Sequence, residues 1–104
     1  MTCAVLYRWR IKPGREDAFV EAWAEGTKLI HEKCGSYGAR LHKGADGLFW
    51  SYAVWPSEEA RLACFETHDF FALPVFQTMQ AAIETRFEEV PLTIEADWLV
   101  KPET

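Results

Sequence analysis

The feature that most limits what this chain can fold into is the order of its hydrophobic periods: strand-like, helical, strand-like twice, helical, and strand-like again. From Cys3 to Ile11, Val5, Tyr7, Trp9 and Ile11 fall on one face and Ala4, Leu6, Arg8 and Arg10 on the other, the pattern of a strand. Lys12-Pro13-Gly14 ends it, and Pro13 suits the start of a helix because its missing N–H would be unpaired there anyway. Ala18, Phe19, Ala22, Trp23, Gly26, Ile30 and Cys34 then recur at three- and four-residue steps. Their spacing predicts an amphipathic helix of about five turns between Arg15 and Cys34, with Phe19, Trp23 and Ile30 as its buried ridge.

Tyr37 to Lys43 and Leu48 to Trp55 read as two strands joined by hairpin turn chemistry at Gly44-Ala45-Asp46-Gly47. In the longer one, Leu48, Trp50, Tyr52 and Val54 share one face, and Phe49, Ser51, Ala53 and Trp55 share the other. Two apolar faces mark a strand that lies inside its sheet. Pro56 stops it, Ser57 can cap a second helix, and Glu58 and Glu59 sit favourably against that helix's N-terminal dipole. The helix is expected to run to about Glu66 and restart near Pro74, with Val75, Phe76, Met79, Ala82 and Ile83 as an apolar stripe; an aromatic bend, Thr67 to Phe71, separates the pieces. Alternation from Leu92 to Val100 predicts the last strand. The expected fold is α+β: a ferredoxin-like β-α-β-β-α-β unit, a single domain over residues 1–104, with an antiparallel four-stranded sheet and both helices on one face.

Helices on one face leave the other open to water or to a partner. That open face is expected to carry Arg8 and Arg10 beside Glu95 and Asp97 of the last strand, together with Leu6, Leu99 and either Phe49 or Trp50. Large apolar residues mixed with paired charges suit a two-fold sheet-on-sheet contact, so a homodimer is expected. Sixteen acidic against eleven basic residues give a formal charge of -5, which repels phosphate backbones and anionic lipid, so neither nucleic acid nor membrane is an expected partner. The N-terminal stretch lacks a long apolar segment and no run of about 18 apolar residues occurs, which reads as cytoplasmic. Cys3, Cys34 and Cys64 are odd in number and widely spaced, which fits reduced thiols, and the three histidines lack metal-ligand spacing.

Three stretches, R-x-K-P-G at Arg10 to Gly14, V-W-P-S-x-E-A at Val54 to Ala60, and His68-Asp69-Phe70-Phe71, resemble the antibiotic biosynthesis monooxygenase (ABM) family in order and spacing, over roughly Leu6 to Val100. The resemblance implies a dimeric α+β barrel of ferredoxin-like subunits. It also implies oxygenation of flat aromatic or quinol-like compounds with no metal or flavin, the substrate anion passing an electron to O₂. Such chemistry needs an apolar slot, a proton acceptor, and donors near the developing oxyanion. Three positions depart from the family pattern: its mid-helix histidine falls on Cys64, and the Asn, Trp and His of the haem-degrading branch fall on Tyr7, Cys64 and Pro74. Haem breakdown is therefore not expected.

Within that frame, the expected catalytic residues are His68, as the base bordering the slot, with Tyr7 and Tyr52 as donors to a phenolic or enolic oxygen. Trp9, Trp55, Phe70, Phe71 and Phe76 are expected to bind a small apolar or aromatic ligand, with no cofactor and no metal. Trp9, Trp23 and Trp55 also read as core residues, and Cys64 as a small buried one. Two functions use the same slot: a cofactor-independent monooxygenase, and a non-catalytic dimeric module that binds a small ligand. An isomerase on the same barrel is a third. A proton acceptor that reaches the slot separates the enzyme from the binder.

Overall fold

The computed structural model describes residues 2–100, and the α+β order of the sequence is realised. The elements are β1 (Cys3–Ile11), α1 (Glu16–Cys34), β2 (Ala39–Lys43), β3 (Phe49–Trp55), α2 (Glu58–Thr67), α3 (Pro74–Ala82), β4 (Ile83–Arg86) and β5 (Val90–Thr93), with a 3₁₀ turn at Phe70–Ala72. The antiparallel sheet runs β2-β3-β1-β4, and β5 also pairs with β1. Trp9 to Ile11 faces β4, while Cys3 to Leu6 faces β5, so one edge position of a ferredoxin-like sheet is filled by two short strands. The register places Tyr7 opposite Ser51 and Trp9 opposite Phe49. These four residues share the face under the helices.

Local chemistry explains the helix ends. Gly35 closes α1 in the left-handed region (φ 72°), its N–H donating to the His31 carbonyl. Ser57 Oγ accepts from the Ala60 N–H at 3.0 Å and caps α2, and Pro74 opens α3 where no N–H is needed. Gly26 marks where α1 meets α3: a Cβ there would lie 3.0 Å from Cζ of Phe76, closer than most packed carbons approach. The core has one dense end. Phe19 is fully buried and meets Trp9 and Phe49 edge-on, with ring centroids 5.3 and 5.6 Å away.

Three expectations are corrected. The last strand is displaced toward the N-terminus, since Ile83 to Arg86 and Val90 to Thr93 pair with β1, and residues 94–100 form no strand. Ile83 therefore starts a strand and does not end the helix, a switch that periodicity misses because a helix end and a strand start both present an apolar residue inward. Consequently Arg10 faces Thr85, and Glu95 and Asp97 pair with neither Arg8 nor Arg10. Arg8 instead stacks between the rings of Trp50 and Phe87, 5.7 and 5.3 Å from their centroids. Finally, Cys34 and Cys64 form a disulfide and Cys3 alone is free. The fold brings the end of α1 against the middle of α2, a proximity invisible in residues thirty apart. Among the described residues no helix is long and apolar enough to cross a membrane.

Candidate functional site

Away from the dense end, the inner face of the sheet is built from small residues: Ser51 and Ala53 on β3, Ala39 at the start of β2, and Gly38 before it. Large side chains surround this shelf without filling it, leaving a cavity of about 120 Å³. Tyr7, Trp9 and Trp55 wall it from the sheet, Trp23 and Ile30 from α1, and Phe76 and Met79 from α3. Phe65 of α2 and Phe71 of the 3₁₀ turn complete the aromatic wall. An apolar hollow of this size is comparable to the one of about 150 Å³ that stays dry and takes up benzene in a well-studied engineered core. Its polar groups are few. Gln80 and Arg86 line it and hydrogen-bond to each other, Thr27, Ser36 and Ser51 contribute hydroxyls, and Tyr7 contributes a phenol.

Of the eight residues expected from the sequence, Tyr7, Trp9, Trp55, Phe71 and Phe76 come together at this cavity. Tyr52, Phe70 and His68 do not line it. Tyr52 belongs to the opposite sheet face, where it borders an open groove with Tyr37, Arg40 and His42, as strand alternation with Trp55 requires. Phe70 is buried beneath the wall, between Phe65 and Phe76, with ring centroids 5.8 and 5.4 Å away. His68 ends α2 in extended conformation, half-buried, its ring 5.4 Å from that of Phe70. Phe70 thus stands where His68 was expected to reach inward. Among the described residues no cluster of three or more His, Cys, Asp or Glu side chains is arranged to hold a metal ion.

One buried charged residue was missed by sequence reasoning. Arg61, in the middle of α2, is only 5% exposed. Its Nε and Nη2 donate to the two carboxylate oxygens of Glu58 at 2.5 and 3.2 Å, and its Nη1 donates to Glu89 Oε2 at 3.3 Å and to Tyr7 Oη at 3.4 Å. The bidentate contact holds the Glu58 carboxyl below its ordinary range and the guanidinium firmly protonated. Burial pushes the Tyr7 phenol up, opposed by Arg61 and assisted by Glu89. A signal existed in the sequence: Glu58 and Arg61 are spaced i, i+3 on one helix face. Glu89 lies in an irregular connection, and no periodicity points to it.

The fold and this hollow define a ferredoxin-like α+β protein with an aromatic-walled, partly open pocket beneath its helices. The sequence model of antibiotic biosynthesis monooxygenases matches residues 2–84, and the chain belongs to that family. Solved structures share the fold at low identity. SnoaB of Streptomyces nogalater, a cofactor-independent oxygenase, superposes with a TM-score of 0.73 at 18% identity, covering 98% of each chain. Rv0793 of Mycobacterium tuberculosis gives 0.67 at 15%, covering 93% of this chain and 98% of that one. A conserved protein of Methanosarcina mazei gives 0.71 at 12%, covering 88% and 90% respectively. No curated protein matches the sequence.

Proposed function

We propose that the chain is a monooxygenase that uses neither metal nor flavin and acts on a small aromatic or quinol-type compound bound in the cavity. The observation that carries this reading is the aromatic-walled hollow of about 120 Å³ in a chain of the ABM family. SnoaB, a fold relative, is a cofactor-independent oxygenase and lends the reading its chemistry. A bound phenol or quinol loses a proton, and its anion passes an electron to O₂. One oxygen atom is then incorporated into the substrate, and the other leaves as water with electrons the substrate supplies. The role of the protein is to hold the ring against Trp9 and Trp55, to exclude water, and to hydrogen-bond the oxygen that bears charge. The hollow favours one ring over several, since drug-sized pockets are about 300 Å³ or more. Phe71, more than half exposed, is the wall residue able to swing for a larger substrate.

The working unit in this reading is a homodimer. On the sheet face away from the helices, Leu6, Trp50, Tyr52 and Val54 are only half-buried, and Val90 and Leu92 are exposed. A second copy would cover this apolar patch and give the Arg8 guanidinium, whose Nε is buried without a hydrogen-bond partner among the described residues, an acceptor. The alternative, a ligand-binding module without catalysis, is favoured by one observation: among the described residues no His, Asp or Glu lines the cavity. Oxygen-electrode measurements with hydroquinones, naphthohydroquinones and anthrones decide between them. Uptake above a heat-denatured control, with ¹⁸O from ¹⁸O₂ in the product, is expected for at least one compound. Saturable binding with no uptake across the panel would assign the chain to the binding module. Sedimentation should give twice 12.0 kDa, and a mass of one chain would refute the dimer.

A further inference from the structure

We propose that Tyr7 and Glu89, held together by Arg61, form the route by which a proton leaves a hydroxylated ligand in the cavity. The inference deepens the function proposed above, because it rests on that reading's need for a deprotonated phenol or quinol. Among the described residues the cavity wall contains only two side chains with an ionisable group, Tyr7 and Arg86, and a guanidinium cannot accept a proton. Of the hydrogen-bonded cluster of Tyr7, Glu58, Arg61 and Glu89, Tyr7 is the member that lines the cavity. Whatever proton traffic connects the cavity to that cluster passes through its hydroxyl.

Arg61 brings the two oxygens of the route to one donor. Arg61 Nη1 donates to Tyr7 Oη at 3.4 Å and to Glu89 Oε2 at 3.3 Å, so one nitrogen gathers both oxygens. Arg61 has donors only and carries no proton itself; it is a positioning residue, fixed from its other edge by Glu58. Two carboxylates face one guanidinium, which leaves an excess negative charge on the side that is to receive the proton. The Glu89 side chain is 45% exposed, so the proton can pass on to water. Among the described residues the Cys3 thiol of β1 also faces the cluster; burial pushes it up, assisted by Glu58 and opposed by Arg61. Tyr7 stays a neutral phenol and works only in concert. The ligand O–H bond breaks and its proton joins Tyr7 Oη; the former Tyr7 proton moves to the Glu89 carboxylate, and the ligand keeps the electron pair as its phenolate. Glu89 then ionises and Tyr7 is unchanged.

The test uses 4-nitrophenol, whose absorbance reports its ionisation and which needs no oxygenation to be read. Bound to the natural protein, its ionisation after a temperature jump should relax at a rate independent of buffer concentration. In Glu89→Gln, a change at an exposed side chain that spares the fold, relaxation should slow at least tenfold with the dissociation constant unchanged, and added acetate should restore it. Arg61→Met should slow it as well, and Arg61→Lys should recover part of the rate. Relaxation in Glu89→Gln equal to that of the natural protein overturns the route. So does the absence of saturable nitrophenol binding to the natural protein. Oxygen uptake is read separately: a panel without uptake removes the oxygenase reading while the nitrophenol result still judges the relay.

Discussion

Filling the cavity should stabilise the protein and remove its ligand. Ala53 is the position to test: it is 9% exposed, lies on the floor of the hollow, and is flanked across the sheet by Val5 and Ala39. Ala53→Ile adds three carbons, each worth about 0.8 kcal/mol when buried, so the upper limit is about 2.4 kcal/mol before any strain. The branched side chain also suits a strand. For a domain of about 100 residues each kcal/mol moves Tm by about 4–8 °C, so calorimetry should find a rise of several degrees and at most about 20 °C. Ala22→Ile is the control. Ala22 is 4% exposed on α1, packs into the core and does not line the cavity, so the same carbons have no empty space and should cost about 1–3 kcal/mol. Titration with 4-nitrophenol and with hydroquinones should show binding lost in Ala53→Ile and kept in Ala22→Ile. A lower Tm with undiminished binding in Ala53→Ile would refute the argument, because it would mean that the space over Ala53 is already filled and that ligands bind elsewhere.

Reduction of the Cys34–Cys64 bond, which closes a loop of about thirty residues, should cost about 3–4 kcal/mol by chain entropy, read as a fall in urea midpoint with a dithiol; titratable thiols in denaturant should rise from one to three. Acid should weaken the fold through Glu58: its folded carboxyl lies below the ordinary 4.5, so that stabilisation is complete above pH 4.5 and is lost as pH falls through the folded value. Urea titrations from pH 7 to 3 should show this loss, and Arg61→Met should abolish it. Alkali acts in the opposite sense: Cys3 and Tyr7 are raised above 9.0 and 10.0, so their contribution is whole below those values and disappears as pH rises through the folded ones, which Tyr7→Phe should partly remove. Ser57→Ala, by freeing the Ala60 N–H at the start of α2, should cost about 1 kcal/mol in chemical denaturation.

How far the sequence could be read depended on whether a residue's role is set by its own strand or helix or by what folds against it. Alternation placed Tyr7, Trp9 and Trp55 on the cavity side because in β1 and β3 the period of two is enforced along the whole strand. The same rule puts Tyr52 on the other face, and including it with Trp55 in one slot contradicted the parity of that strand. His68 and Phe70 lie where no period applies. In an extended segment leading into a 3₁₀ turn, a shift of one residue decides which ring enters the core, and the larger apolar surface of Phe70 wins that place. The disulfide, the Arg61 cluster and the two short strands on β1 were hidden for another reason: each is a contact between segments distant in sequence, and composition carries no trace of who meets whom.

That contrast bears on the chemistry. The cavity follows from small residues at fixed strand positions, Ser51 and Ala53, and so belongs to the rigid part of the fold. The groups of the proposed route come from three separate elements: Tyr7 from the sheet, the positioning Arg61 and its partner Glu58 from a short helix, and Glu89 from the connection between β4 and β5. Neither the capped helix nor the sheet alone brings them together; Arg61 does, by taking hydrogen-bonding oxygens from all three. A substitution at Arg61 should therefore leave a cavity that still accepts a ring while uncoupling it from Glu89. Unchanged phenol affinity with slowed ionisation in Arg61→Met is the signature that separates a positioning cation from a merely structural one.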